Sequence, residues 1–358
     1  MKSAHEYAAK GPSGGSRPNL ASGLTTLRGP GFGALVISLD FELHWGVRDH
    51  KTADGPYRAN LLGAREAVLR MLELFGELGV AATWATVGFL FARTREELER
   101  FSPALRPGYR DPSLFPYGEP LGEGEADDPL HFAPSLVDAI RRADRQELAS
   151  HTFSHYYCLE PGQTREQFAA DMKSAVEIAA HHDVRMRSII FPRNQHNPAY
   201  AGVLREAGIT CYRGNPRARM YRASDSAGLH PIRRVAGLAD SYLNLAGTAT
   251  VRWDEVVEPD GLCNVPASRF LRPYNPRRRA LEPLRLRRIE GALLHAAREG
   301  EIFHLWWHPH NFGTYLEENM AILRRILECY QRCSRSHGMR SLTMEEVAEQ
   351  ALACGAPA

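Results

Sequence analysis

Gly33-Ala-Leu-Val-Ile-Ser-Leu-Asp40-Phe-Glu42-Leu43 is the stretch on which the fold turns. A short unbroken apolar run that ends in carboxylates reads as a strand buried on both faces, the pattern of a parallel sheet. Downstream, Leu61, Leu62, Ala64, Val68, Leu69, Leu72, Phe75 and Leu78 recur at helical spacing, and Gly79 supplies a stop. Val80 to Val87 is a second strand, rich in β-branched and aromatic residues and closed by Gly88. Strand, helix and strand in this order imply a right-handed parallel crossover.

The alternation continues along the chain. Helices are predicted over 134–142, 164–181 (capped by Thr164), 198–207, 315–333 and 343–353. Strands are predicted over 147–152, 187–192, 209–213, 302–308 and 340–342. This is the grammar of an α/β barrel or wound sheet. Residues 1–30, rich in Gly, Ser, Ala and Pro, read as a disordered tail, and 31–358 as one catalytic domain with insertions at about 102–145 and 215–300. The first insertion carries Pro, Gly and an acidic cluster; the second shows little periodicity.

Composition narrows the classes. The 358 residues, 44 % apolar, suffice for a sizeable core, and a net charge of +2 calls for no nucleic acid. Residues 269–298 nevertheless hold nine arginines against two acids. A solvated helix face with a loop is the plain reading; a surface that meets phosphate or an anionic membrane is the functional one. The six cysteines are scattered without a C-x-x-C pair, and no apolar stretch reaches the length of a signal core or a transmembrane helix, which leads us to expect a cytoplasmic protein.

Chemistry gathers at the strand ends. Asp40 and Glu42 point to one side of their strand, where two carboxylates are costly unless a metal or an arginine lies between them. His151 and His155, four apart and directly after a strand, can share a face on a turn. With 15 histidines that spacing also arises by chance, and His304 and His308 repeat it. The latter pair sits on a strand, where four residues span about 13 Å, too far for one ion. Two imidazoles and one carboxylate leave a zinc-like ion with open positions. We therefore expect Glu42, His151 and His155 as metal ligands and Asp40 as the base.

Arg193, in Phe191-Pro-Arg-Asn-Gln-His-Asn197, is expected to pair with Asp40 and keep it ionised. Asn194, Gln195 and Asn197 offer amides to a hydroxyl-rich ligand, or simply cap a loop. In His304-Leu-Trp-Trp-His-Pro-His310, either His308 or His310 can protonate a leaving amine, while Trp306 and Trp307 either stack on a sugar or belong to the core.

Four pieces taken together, Ser-Leu-Asp40-Phe-Glu42, Ala-Thr-Trp-Ala-Thr-Val-Gly88, Ser-His151-Thr-Phe-Ser-His155 and the strand ending at His308, resemble the polysaccharide deacetylase (NodB-homology) superfamily, related to carbohydrate esterase family 4. The resemblance covers about residues 34–353, with 215–300 adding little. It implies a distorted (β/α) barrel, usually of seven strands, as in related glycoside hydrolases. It implies hydrolysis of an N-acetyl group, or another non-peptide C–N bond, with zinc or a similar divalent ion. It also implies Asp40 as general base, His151 and His155 as ligands and His308 as general acid. The commoner motif has two adjacent aspartates; here Phe41 takes the second place and the carboxylate follows at Glu42, as in an Asp-x-Glu subgroup. The family arginine usually precedes the proline, whereas Arg193 follows Pro192, and no Asp-Trp motif is present.

The expected function is deacylation of an N-acylated sugar, nucleotide- or lipid-linked, that serves as a precursor of a surface polysaccharide. A non-catalytic carbohydrate-binding relative is one alternative. A glycosidase on a related barrel is another, although it would leave the two histidines without a role.

Overall fold

The computed structural model describes residues 29–216 and 247–355; the expected tail over 1–28 and the segment 217–246 of the second insertion lie outside the described residues. Nine strands are present among the described residues: β1 (Ala34–Phe41), β2 (Ala82–Thr86), β3 (Gln146–Ser150), β4 (Ser188–Ile189), β5 (Cys211–Tyr212), β6 (Cys263–Asn264), β7 (Arg269–Phe270), β8 (Ile302–Trp307) and β9 (Arg340–Leu342). The helices are α1 (Arg58–Leu78), α2 (Arg95–Phe101), α3 (Pro134–Arg142), α4 (Arg165–His181), α5 (Ala201–Glu206), α6 (Glu282–Glu299), α7 (Leu316–His337) and α8 (Met344–Gly355).

Every strand pairing is parallel, and the sheet runs β6-β5-β4-β3-β2-β1-β8-β7. β9 pairs the first half of β1, over Ala34–Val36, and β2 pairs its second half from Ser38 on. The two-residue edge strands β6 and β7 are joined by residues 265–268, so the curled sheet comes back on itself: a distorted (β/α) barrel. The interval 265–268 is tied across to both neighbours, Ala267 N–H donating to the Gly214 carbonyl and Ser268 N–H to that of His304.

Strand alternation divides β1 between two layers. Leu35, Ile37, Leu39 and Phe41 pack outward into the large helix–sheet core with α1, α4, α6 and α7. Val36 and Ala34 face inward, where Ala85, Ile190, Cys211, Cys263, Ile302 and α8 residues Met344, Val347 and Ala351 fill the lower barrel. Ser38 and Asp40 continue that inner row upward and are buried. The upper interior is therefore polar, lined from strands that a core of aliphatic residues holds in place. Such an arrangement puts reactive groups at the carboxyl ends of the strands.

Local chemistry explains the elements. Thr164 caps α4 in a reciprocal box with Gln167, as the sequence indicates. The helix α6 lies in the segment whose periodicity is weak. Its buried stripe of Leu286, Ile289, Leu293 and Ala296 is interrupted by Arg285, which is itself buried and donates to the Arg272 carbonyl and to Glu282. A charged residue on the inward face hides the pattern. The loop between α2 and α3, read as an insertion, crosses the rim beside the site: Arg48 donates to the Ser113, Leu114 and Phe115 carbonyls, and the Tyr109 hydroxyl accepts from Tyr157 N–H.

Candidate active site

Asp40 closes the inner row of β1, and Glu42 follows it one step beyond the strand. Gly46 makes room for Glu42: a Cβ on that glycine would lie 1.9 Å from the carboxylate carbon. His151 and His155 come from the turn after β3. Gly88, the last residue of the Ala-Thr-Trp-Ala-Thr-Val-Gly stretch, lets that turn approach, since a Cβ there would meet Phe153 Cα at 2.8 Å. The same contact is sealed by Gly88 N–H donating to the Thr152 carbonyl at 2.9 Å and Phe89 N–H to that of Phe153 at 3.1 Å. Thr152 and His155 both adopt left-handed backbone conformations, with φ of 62° and 58°. Asp171, on α4, holds the strained turn by accepting from Phe153 N–H at 2.7 Å, Ser154 N–H at 3.2 Å and the Ser154 hydroxyl.

The result is one buried cluster. A single oxygen of Glu42 lies 3.2 Å from His151 Nε2 and 3.0 Å from His155 Nε2. The other lies 3.5 Å from His308 Nε2 and 4.0 Å from His310 Nδ1. His151 Nδ1 stands 2.8 Å from the Ile190 carbonyl and must donate to it, so the neutral ring turns an unprotonated Nε2 toward Glu42. Two lone-pair groups facing each other repel unless a cation comes between them. His310 adds a buried Nδ1 with no hydrogen-bond partner among the described residues. Burial pushes His155 down to about 4 and His310 to about 3. Burial raises the Glu42 carboxyl, yet its histidine surroundings, His308 first, outweigh it and hold the group well below the usual range. Imidazole nitrogens gathered around a carboxylate are a donor set that could hold a divalent ion, and the three ligand atoms of Glu42, His151 and His155 lie within 4.8 Å of one another.

Asp40 takes a different partner from the one its sequence suggests. Arg213, immediately after β5, grips it with two bonds, Nη1 to Oδ1 at 2.6 Å and Nη2 to Oδ2 at 2.8 Å. Arg213 also donates to Ser38 Oγ at 3.0 Å and Asn194 Oδ1 at 2.9 Å, and its guanidinium lies 4.1 Å from the centre of the Trp306 ring. Burial raises Asp40, but Arg213, then His308 and His151, bring it below its ordinary value. The expected Arg193–Asp40 pair is thus corrected. Arg193 has a left-handed backbone, φ 54°, that carries its side chain away to Asp49, to Glu160 at 3.8 Å and to the Tyr157 ring. Arg213 was legible only as the last residue of a predicted strand; a cation at the carboxyl end of a barrel strand was the available signal.

The remaining candidates divide. His308 is the more open of the two rim histidines, its Nε2 3.8 Å from Asp40 Oδ2 and 3.5 Å from Glu42. His304 lies deeper, bonded to Ser38 Oγ at 2.8 Å and the Val265 carbonyl at 3.0 Å, and burial pushes it to about 3. Trp306 is partly exposed beside Arg213 and Phe270, while Trp307 is fully buried in the core. Asn194 touches Arg213 directly. Gln195 and Asn197 are committed elsewhere: Gln195 bonds Glu160 and Leu159 N–H, and Asn197 caps the next turn and bonds the Cys158 carbonyl. Both amides brace the segment after His155, the loop-capping alternative of their sequence reading.

Comparison with known proteins follows the same lines. The sequence model of the family described as polysaccharide deacetylase matches residues 54–212, from before α1 to the end of β5. Over that stretch the chain resembles the polysaccharide deacetylases. The matched stretch contains the histidine pair; Asp40, Glu42, Arg213 and His308 lie on either side of it. Among solved structures, a putative polysaccharide deacetylase from Mycobacterium smegmatis superposes with a TM-score of 0.59 at 15 % identity, over 91 % of this chain and 93 % of that one. A structure described as Puue allantoinase gives 0.53 at 13 % identity, over 90 % and 92 %. A probable polysaccharide deacetylase from Pseudomonas aeruginosa gives 0.51 at 13 %, over 88 % and 90 %. These likenesses show the fold. No curated protein sequence matches the chain.

Proposed function

We propose that the chain removes an N-acetyl or similar N-acyl group from an amino sugar of a surface-polysaccharide precursor, using a divalent ion, zinc first, held by Glu42, His151 and His155. The observation that carries this reading is the Glu42 oxygen set between two imidazole Nε2 atoms at 3.0 and 3.2 Å, one of them unprotonated by its bond to Ile190. When bound, such an ion polarises a carbonyl and makes water acidic.

The protein's own groups do the rest. Arg213 keeps Asp40 ionised and aimed, so that Asp40 takes the proton of the attacking water as general base. His308, the open imidazole 3.8 Å from Asp40, gives a proton to the departing amine. Ser38 and His304 form a relay of hydrogen bonds beneath Arg213 that leaves its guanidinium one orientation. Trp306, with one face against Arg213, and the amide nitrogen of Asn194, which has no partner among the described residues, offer a wall and a donor to a sugar ring.

A phosphate-bearing precursor, nucleotide- or lipid-linked, is supported by the arginine segment. Arg269 and Arg285 are buried, whereas Arg277, Arg278 and Arg279 are exposed in the turn that follows β7, on the side of the strands' carboxyl ends. A cytoplasmic location is our reading of six free cysteines, five of them buried; none of the described helices is long and apolar enough to cross a membrane. The test is elemental analysis together with acetate release over a panel of N-acetylated sugars and their nucleotide forms. An ion that depends on His151 and acetate release with a phosphate-linked sugar are expected; release of reducing ends in place of acetate would overturn the reading.

A further inference from the structure

A second group of ligand atoms stands on the segment that leaves Glu42. His44 sits in the turn Leu43–Gly46, and Glu119 and His131 lie on the loop between α2 and α3. Each offers one ligand atom within 4.8 Å of the others. His44 Nδ1 faces His131 Nε2 at 2.8 Å, and both rings are buried.

The outer nitrogens settle where the protons are. His44 Nε2 lies 2.9 Å from the Lys51 carbonyl, which can only accept, so Nε2 carries the hydrogen. His131 Nδ1 lies 2.9 Å from both carboxylate oxygens of Asp128, so Nδ1 carries the hydrogen there. The two inner nitrogens then point lone pairs at each other across 2.8 Å. Such a contact holds only if a cation is shared between them. The backbone enforces it: Trp45 Nε1 donates to the His131 carbonyl at 3.0 Å, and His44 N–H to that of Leu130 at 3.3 Å.

We propose that His44 Nδ1, His131 Nε2 and a Glu119 carboxylate oxygen form a second divalent-cation site of the zinc class, separate from the Glu42–His151–His155 cluster. Two imidazoles and a carboxylate suit a borderline ion better than magnesium or calcium. Each ring already has an acceptor on its far nitrogen, the support that orients ligating histidines. With bonds of about 2.0–2.1 Å the rings need part by only about half an ångström. Glu119 also meets Arg48 at 3.6 Å, so its carboxylate is shared between the guanidinium and the ion. The site clamps the stretch that follows Glu42 to the loop that crosses the rim, which makes its role structural.

The full chain is stripped with a chelator, titrated with Zn²⁺ alone, and its bound metal measured after desalting; Co²⁺ absorption reports the geometry. Two equivalents are expected for the wild type, one each for His131→Ala and His151→Ala, and none for the double variant. His131→Ala removes a ring packed on Trp45, so Asp128→Asn and Glu119→Gln serve as milder changes. Both should leave one equivalent tight and weaken the other, Asp128→Asn by about 10–100-fold. A single equivalent that His151→Ala abolishes and these variants leave unchanged would overturn the proposal, the shared cation then being a proton. A single equivalent that His131→Ala abolishes and His151→Ala spares would sustain it while overturning the ion at Glu42. No binding at all would overturn both.

Discussion

Arg213 clasps Asp40 with both terminal nitrogens, at 2.6 and 2.8 Å, and neither side chain is more than 5 % exposed. The bond ties β5 to β1 across the interior of the barrel. A buried carboxylate that loses its cation is left with the full cost of its burial, about 3–5 kcal/mol.

Arg213→Met should therefore destabilise the fold by about that amount at neutral pH. The sign of its pH dependence follows from Asp40. In the wild type the folded carboxyl lies below its ordinary value of 3.8. Its contribution to stability is thus complete above 3.8 and lost as pH falls through the lower folded value. Without Arg213 burial raises the folded value above 3.8, and the variant gains stability as pH falls toward it. The gap between wild type and Arg213→Met should narrow between pH 7 and pH 3.5 in urea unfolding. A gap independent of pH would show that Arg213 acts on stability by packing alone.

Asp40→Asn keeps the shape and part of the Arg213 contact but removes the proposed base. We expect turnover to fall by about 10²–10⁴-fold while bound metal stays at the wild-type level. Acetate release and elemental analysis on the same sample check both halves. Activity retained with metal retained would remove Asp40 from the chemistry.

Much of this site was readable in the sequence, and the reason is local. Asp40 and Glu42 share a strand face by alternation, and a turn directly after β3 brings His151 and His155 to one point. Both depend on neighbours two to four residues apart. Arg213 and Arg193 show where that logic stops: one left-handed residue at 193 redirects a guanidinium, and the arginine that reaches Asp40 comes from a different strand end. Likewise Arg285, a charge turned inward, masks the periodicity of α6, and β6 and β7, two residues each, are too short for any pattern. Long-range pairing decides these features, and no local signal records it.

His151→Ala removes one side of the Glu42 cluster. Loss of the ion bound there and loss of turnover are expected together, without a large change in melting temperature. Metal analysis of protein purified without chelator is the measurement. Full occupancy of that position would exclude His151 as a ligand.

Asp171 touches no catalytic group but accepts from two backbone N–H groups and a hydroxyl in the turn that carries His155. Asp171→Ala leaves those donors buried and unpaired, at about 1–3 kcal/mol each. The left-handed turn should relax and metal affinity should fall although every ligand is intact. Burial raises the Asp171 carboxyl to about 7 despite its three donors. The native state therefore binds a proton that the unfolded chain releases between pH 4 and 7, and this group lowers stability as pH rises through that window. Asp171→Asn should flatten that slope in urea unfolding at pH 5 and pH 8. An unchanged slope would show that the donors keep Asp171 ionised throughout.

The exposed trio Arg277, Arg278 and Arg279 tests the kind of substrate. Each stands in solvent in the turn after β7, so reversing its charge disturbs no buried contact. If the precursor carries phosphate, the triple change to Glu should raise KM for a nucleotide-linked sugar by about tenfold or more, since three cations become three anions facing the same charge. The wild-type KM should rise with salt, and that dependence should weaken or invert in the variant because screening near 0.15 M ionic strength acts over about 8 Å. For an uncharged N-acetyl sugar both proteins should behave alike, with kcat unaffected in either case. Equal KM values and equal salt dependence on the phosphate-linked substrate would mean that these arginines belong to a solvated surface and that the substrate's charge is read elsewhere.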